Sequence, residues 1–428
     1  HLSDPVYIST DPEFNVDGSE LFTETWQSEL VVTTFYQLLN GIITPRNKNL
    51  KRFVSLKNAI VIMDEVQAVP HRYWEAIRKL FQIIGGKLNT RFILMTATQP
   101  LLFTNDMAVE LLPEHGKYFK QLSRIRLVNK SSSDITLEDF FTIMVNELEE
   151  TPYQSRMCVL NRKSSVSKLY SMFKERLPDH NIYALSTNLT PKDRKKRIEE
   201  IRNSLKSEVP CLIITTQLVE AGVDISVDVV DRDMAPLDSI IQSAGRCNRH
   251  GAETKGIVNL WSFTDDHGKL WKKVYDPFLI DATSEVLAEK TLIEEKEFLD
   301  LGRAYFKRIS ERSEPDKVDE LLKNGKFSEI EAHFKLIEDD APRQSYFIIQ
   351  SQKDREIWEQ YGELGQIEDL IERKRIFGKF KTEFMDRIVQ VYAHSSSEGV
   401  MPIESALGLY AEDLGFLGDT NMPGSVIL

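Results

Sequence analysis

Three cysteines in 428 residues, Cys158, Cys211 and Cys247, lie far apart, each in or beside an apolar stretch, and form no C-x-x-C pair. That excludes a disulfide framework and a cysteine zinc site, leaving buried thiols in a reducing compartment as the expectation. None of the eight histidines precedes an aspartate or belongs to an H-x-x-x-H pattern, so a histidine-built metal pair has no basis. No apolar run approaches the ~20 residues of a membrane helix and no signal-peptide pattern follows His1, which predicts a cytoplasmic chain with no membrane partner. Positive charge is also short. With 54 Lys and Arg against 66 Asp and Glu the net charge is −12, so nucleic acid is repelled on average and any such contact must rest on a local groove.

What remains is ordinary for a globular chain, 41% hydrophobic and 28% charged, and too long for one core, so two or three domains are expected. The most informative stretch runs from Cys211 to Gly251. Two apolar runs, Cys211 to Thr215 and Val227 to Val230, flank a turn-rich acidic loop with Glu220, Gly222 and Asp224, and a helix is predicted to follow. On that helix Gln242, Arg246 and Arg249 would fall within about 60° of one another. Ile240, Ala244 and Cys247 would form the opposite, apolar face. Such a front suits a polyanion, although solvated surface arginines would show the same spacing. Gly245 in a helix interior is costly, and close approach of a backbone or a phosphate would explain it.

A second anchor is Asn58 to Met63, a continuous apolar run that ends in Asp64-Glu65. It reads as a parallel strand covered on both faces, with two carboxylates at the edge where such sheets bind ligands. In nucleotide hydrolysis one acid holds the Mg²⁺ that bridges the phosphates, and its neighbour can orient and deprotonate water. Asp64 takes the first role and Glu65 the second; a strand end before a capped helix would look the same. Pro70 to Ile84 is predicted as an amphipathic helix ended by Gly85-Gly86, and Arg91 to Met95 as a strand leading into Thr96-Ala97-Thr98. Upstream, Leu30 to Thr33 reads as a short strand and Thr34 to Leu39 as the start of a helix, where a threonine is also an ordinary N-cap.

The second half alternates. Arg126 to Asp134 is polar and serine-rich and reads as a linker. Then come a helix from Thr136 to Glu150, strands at Met157 to Leu160 and Ile182 to Leu185, a helix from Pro191 to Leu205 capped by Thr190, and a last strand from Gly256 to Phe263. That alternation predicts a second parallel sheet and an α/β class. Beyond Asp265 long helices are expected, then an extended connection from Asp340 to Gln352 and a compact C-terminal part.

IVIMDEVQA, LMTATQP, TTQLVEAGVD and QSAGRCNRHG, in that order, resemble motifs of superfamily 2 helicases and look like the helicase part of the CRISPR-associated helicase of type I interference systems; WQSELVVTTFYQLL is similar to that family's early strand-binding motif. The resemblance implies two RecA-like parallel-sheet domains, the first incomplete, followed by a helical linker and a small C-terminal domain. On this reading residues 1–128 hold the C-terminal part of the first RecA-like domain, 129–265 the second, 266–340 the linker region and 341–428 the accessory domain. It implies an ATP-dependent helicase and translocase on single-stranded DNA displaced by a guide-RNA surveillance complex, travelling 3′ to 5′, with ATP and Mg²⁺ as cofactors. Asp64 would ligate Mg²⁺, Glu65 would activate water, and Gln242, Arg246 and Arg249 would reach the γ-phosphate, with Arg249 as the arginine finger. Asp224 would sense the nucleotide sugar, with Gly222 and Gly245 beside the nucleotide. Thr33 or Thr34, together with Thr216, would touch the strand, and Thr96 and Thr98 would couple the domains.

The phosphate-cradling G-x-x-x-x-G-K-[S/T] pattern has no match, since Gly85-Gly86-Lys87 is followed by Leu88 and Gly325-Lys326 by Phe327. The first third of the first domain is therefore expected in an upstream segment, together with the family's nuclease, and this chain alone is expected to be inactive. Two other readings use the same motifs: a non-hydrolysing docking fragment of that system, and an RNA helicase of the same superfamily.

Overall fold

The computed structural model describes residues 25–43, 46–96, 103, 107–266, 268–312, 317–335, 342–392 and 399–418. The chain divides into two compact units, one from Ser3–Pro113 with Leu299–Asp339, the other from Glu114–Phe298 with Asp340–Leu428.

In the first unit β1 (Ile60–Met63) pairs in parallel with β2 (Arg91–Leu94), and the helix Trp74–Leu88 connects them. The helix turns Trp74, Ala76, Ile77, Phe81 and Ile84 inward, and Phe81 stacks on Phe92 of β2 with ring centroids 4.1 Å apart. It runs through Gly85-Gly86 and stops at Asn89, whose φ of 56° breaks the helical path. The predicted end at the two glycines is thus corrected, because packing on the strands outweighs their weak propensity. The expectation of a strand covered on both faces also fails: Ile60 and Ile62 are 68% and 62% exposed. Two strands with one connecting helix bury only the face that carries Met63. Leu30 to Thr33 forms no strand, for lack of a ladder partner among the described residues. The helices of 299–339 belong to this unit: Lys79 pairs with Asp319 at 2.7 Å, and Tyr73 lies 4.6 Å from Phe334.

The second unit is built on an eight-stranded sheet. Its main path is β10 (Leu292–Glu294), β3 (Ile125–Ile135), β8 (Gly256–Asp265), β7 (Val229–Asp233), β4 (Arg156–Val159), β6 (Leu212–Thr215) and β5 (Ile182–Leu185), with β9 (Gly268–Lys269) on β8. From β3 to β5 all pairings are parallel. Helices Leu137–Glu150, Lys163–Arg176, Pro191–Lys206 and Leu237–Ala244 connect them, and Phe140, Phe173, Phe263, Leu160 and Ile214 are among the residues of one core. Thr136 and Thr190 cap their helices as expected, accepting from the backbone N–H of Asp139 and Asp193. The predicted linker Arg126 to Asp134 is instead most of β3. Ile125 and Leu127 are buried on it, β8 and β10 pair with its two edges, and a register shift between Asn129 and Asp134 absorbs the polar residues.

The C-terminal segment forms a three-stranded sheet, β12 (Ile388–Tyr392), β11 (Arg343–Ile349) and β13 (Val400–Glu404), and the ladder of β14 (Tyr410–Ala411) and β15 (Gly415–Phe416). Within the extended connection expected from Asp340 to Gln352, Arg343–Ile349 is the central strand β11 and Gln352 already opens the next helix. This module grips the loop after β5. Phe416 N–H donates to the Asn188 carbonyl at 2.9 Å, Tyr410 Oη accepts from Thr190 N–H at 3.0 Å, and Tyr410 donates to Asp193.

Two predictions follow from these packings. Gly415 holds φ of +81°, and a Cβ there would lie 2.3 Å from the backbone of Asn188. Gly415→Ala is expected to destabilise the unit by about 1–3 kcal/mol, read as a lower urea midpoint; an unchanged midpoint would contradict the contact. Asp233, on the central strand β7, is fully buried, and burial pushes its carboxyl up to about 7 against the attraction of Arg232. The folded state then keeps a proton that the unfolded chain has released, so stability falls as pH rises from about 4 to about 7. Asp233→Asn should flatten that fall when denaturant midpoints are compared across the window.

Candidate functional site

At the carboxyl end of β1 the chain turns sharply. Glu65 adopts φ of 54° and ψ of 44°, an unusual conformation for a non-glycine residue. Its N–H donates to Asp64 Oδ1 at 3.0 Å, and Val66 N–H reaches the Met95 carbonyl at the end of β2. Gln67 is buried and joins two predicted residues. Its amide Nε2 donates to the Glu65 carboxylate, while its Oε1 accepts from Thr96 Oγ1 at 2.6 Å. Glu65 and Thr96 are therefore linked by one side chain. Gln67 received no role from the sequence. Asp64 is exposed, and its second carboxylate oxygen has no hydrogen bond among the described residues. An outward carboxylate beside open solvent fits Mg²⁺, which keeps several waters and takes one or two protein carboxylates.

Of the other expected residues in this unit, Thr34 ends as the helix cap. Its Oγ1 accepts from Gln37 N–H at 3.3 Å at the start of the helix Phe35–Ile43. Thr33 is exposed beside it. Thr98 lies outside the described residues.

In the second unit the expected helix carrying Gln242, Arg246 and Arg249 on one face is shorter. It spans Leu237–Ala244, with Gly245 as its C-cap at φ of −63°. Gln242 is on it; Arg246 and Arg249 lie beyond its end. The chain leaves the helix because Val227 N–H donates to the Arg246 carbonyl and Asn248 N–H returns to the Val227 carbonyl, tying Cys247 beside Val227 as an extra parallel bridge. Asn248 takes φ of 41° in the turn, and its side chain bonds Arg124, Ala252 and Thr254 backbone groups. The helix-interior cost assigned to Gly245 therefore does not arise. The apolar back is as expected: Ile240, Ala244 and Cys247 are buried.

The acidic loop and the arginines do meet. Arg246 is buried, and its Nε and Nη2 donate to the carbonyls of Val219 and Glu220 at 2.9 and 2.5 Å. Arg249 is half exposed and pairs with Asp224 at 3.2 Å, while its N–H donates to Ser226 Oγ at 3.0 Å. Gly222 has φ of +72° in the intervening loop, a conformation that favours glycine. Thr216, buried at the end of β6, opens this loop.

Glu220 is the organising acid here, and the sequence did not single it out for a structural role. Its Oε1 accepts from Arg232 Nη2, Ser239 Oγ and Ser243 Oγ at 3.0, 2.8 and 3.0 Å. Arg232 has no exposed surface and also donates to Asn161 Oδ1 at 2.7 Å and Tyr275 Oη at 2.9 Å. An arginine inside an apolar strand was the available signal, since a buried guanidinium requires acceptors. Among the described residues there is no cluster of three or more His, Cys, Asp or Glu placed to hold a metal, and no helix is long and apolar enough to cross a membrane.

Comparison with known proteins agrees with these motifs. Residues 153–252 match the family described as CRISPR-associated nuclease/helicase Cas3, C-terminal. The chain is 26% identical over 347 residues to the CRISPR-associated nuclease/helicase Cas3 of Haloferax volcanii, covering 60% of this chain and 37% of that protein. The corresponding protein of Methanothermobacter thermautotrophicus is 25% identical over 286 residues, covering 61% of this chain and 34% of its own length. The chain thus spans about a third of the curated relatives it matches. In fold it is similar to T. fusca Cas3 with AMPPNP, at a TM-score of 0.57 and 13% identity over 84% of this chain and 50% of the other. It also resembles a chain of a CRISPR RNA-guided surveillance complex in a pre-nicking state, at a TM-score of 0.53 and 14% identity over 82% of this chain and 52% of the other. The chain is therefore similar over residues 153–252 to the C-terminal family of the CRISPR-associated nuclease/helicase Cas3, and similar in sequence to curated proteins of that name and in fold to T. fusca Cas3.

Proposed function

We propose that the protein works as an ATP-dependent helicase of CRISPR interference, moving along single-stranded DNA displaced by a guide-RNA surveillance complex. The observation that carries this reading is the Glu65–Gln67–Thr96 chain at the carboxyl end of β1 and β2. A carboxylate that merely ends a strand has no need of a buried amide to fix its orientation. A general base does, because proton transfer depends on placing the carboxylate within hydrogen-bond reach of one water.

Bound Mg²⁺ would supply charge neutralisation at the phosphates. Asp64 is its ligand in this reading, and Glu65 takes the proton of the attacking water. Gln67 holds Glu65, and Thr96 senses through Gln67 whether that carboxylate is in place. In the second unit Arg249 is the arginine finger, and Gln242 joins it at the γ-phosphate. Its pairing with Asp224 is no obstacle, since an exposed ion pair contributes only about 0–1 kcal/mol. Arg246 is held differently. Two charge-assisted bonds to buried carbonyls, about 1.5–3 kcal/mol each, suit a residue that positions the Val219–Asp224 loop. Asp224 remains the candidate for the nucleotide sugar, with Gly222 and Gly245 beside it and Thr216 for the strand.

ATP hydrolysis stimulated by single-stranded DNA is expected for the protein in its longest natural form. Glu65→Gln should lower its kcat about 10²–10⁴-fold with nucleotide binding kept, and Arg249→Ala about 10³-fold or more. Gln67→Ala should lower kcat with little change in KM, because Glu65 loses its holder while the ligand contacts stay. If Glu65→Gln hydrolyses ATP like the parent, the motor reading fails; if an RNA strand competes better than DNA of equal length, the substrate assignment fails.

A further inference from the structure

Arg124, just ahead of β3, belongs to none of the motifs, yet the turn that carries Arg249 is wrapped around it. Its carbonyl accepts from Asn248 Nδ2 and from Gly256 N–H, both at 2.9 Å, so the two ends of the turn close on one residue. Its guanidinium Nη1 donates to the Arg249 carbonyl at 3.2 Å. Between these contacts Gly251 takes φ of +71°, and a Cβ there would stand 3.8 Å from Arg124 Cγ and Cδ. The main chain of Arg249 is thereby held on both sides, since its N–H donates to Ser226 Oγ at 3.0 Å. Its side chain is freer: among the described residues it pairs with exposed Asp224 at 3.2 Å.

Arg124 is itself fixed by one acid. Glu295 has only 3% of its side chain exposed. Its Oε2 accepts from Arg124 N–H at 2.7 Å, and its Oε1 accepts from Arg124 Nε at 3.0 Å and from Nη2. A buried carboxylate is costly unless paired, so this acid sets the plane of the guanidinium. Two edges of the fork go to Glu295, and the third is left to point at Arg249. Glu295 also lies where the chain changes units. It opens the turn Glu295–Glu297, which leads into the helix Phe298–Arg312, and the first unit takes up the chain at Leu299. Anchoring that segment does not require the Arg124–Glu295 pair. The ladder of β10 on β3 and the bond of Lys255 to Glu294 at 2.7 Å already do so.

We propose that Arg124 and Glu295 are positioning residues for the arginine finger: Glu295 sets the Arg124 guanidinium, and Arg124 sets the main chain from which Arg249 reaches the γ-phosphate. This rests on the reading of Arg249 as that finger, and it adds two residues that act through it. A finger on an unheld turn would have to be ordered at every turnover. With the main chain fixed in advance, only the side chain has to leave Asp224, and most of the ordering precedes the reaction.

The test uses the protein in its longest natural form, with ATP hydrolysis measured in the presence of single-stranded DNA and amide hydrogen exchange read without nucleotide. Arg124→Lys keeps a charge for Glu295 and loses the fork that reaches Arg249. It should lower kcat about 10–100-fold, the scale of a group misplaced by up to about 1 Å, with KM for ATP within about two-fold. Exchange at residues 249–252 should speed up roughly ten-fold. In an Arg249→Ala background the same substitution should lower kcat no further, because residues that act as one unit are not additive. Glu295→Gln keeps the shape, removes the charge and should move kcat and exchange in the same direction. Thermal unfolding of each variant separates these effects from loss of fold, and Glu295→Gln carries the test if Arg124→Lys unfolds. The pair's role is overturned, with the finger intact, if both variants turn over ATP like the parent, if exchange at 249–252 is unchanged, or if Arg124→Lys lowers kcat equally with and without Arg249. A silent parent, or an Arg249→Ala variant as fast as the parent, removes the finger reading and this role with it.

Discussion

The buried Arg232 guanidinium is the constraint on which the second unit depends. It extends from the middle of β7 with no exposed surface and reaches Asn161 after β4, Glu220 in the acidic loop, Ser239 on the following helix and Tyr275 beyond β9. Removing one partner from such a buried charge costs about 3–5 kcal/mol, far more than the pair contributes relative to an apolar replacement. That asymmetry makes the network a device for position. Glu220 can satisfy Arg232, Ser239 and Ser243 in only one loop path, and that path sets the carbonyls that Arg246 grips and the place where Asp224 meets Arg249.

A parallel logic governs the first unit on a smaller scale. Glu65 sits in a left-handed conformation that costs energy for a residue with a side chain, and the turn is retained because Asp64, Met95 and Gln67 over-determine it. Backbone strain, a buried amide and a threonine from the neighbouring strand then place one carboxylate. In both units a charged side chain is held in place by polar side chains from elsewhere in the same unit.

Much of this was legible in the residues. The continuous runs ending in Asp64-Glu65 and at Thr215 marked strand exits, and the periodic helices capped by Thr136 and Thr190 appear where the spacing placed them. Local signals sufficed there, since strand period, caps and turn residues act over a few residues. The misreadings share one cause. Arg126 to Asp134 looks like a linker by composition, but a serine-rich segment becomes a strand when β8 and β10 offer ladders on both sides. Arg249 looked helical because 3.6-residue spacing continues past Gly245; the bridge from Val227, twenty residues upstream of Cys247, ends the helix first.

By itself the sequence determined which chemistry is on offer: an acid pair after an apolar strand, hydroxyls after the next one, an acidic glycine loop, and arginines after a helix. It determined that order because each motif is a local statement about strands, caps and charge. Only the tertiary structure decided which side chains hold the others. Gln67 joins Glu65 to Thr96, Glu220 collects Arg232, Ser239 and Ser243, and Tyr410 reaches back to Asp193 across more than two hundred residues. Partners of that kind are chosen by burial, where an unmet donor or charge is costly, and burial is a property of the packed sheets and not of any stretch of chain.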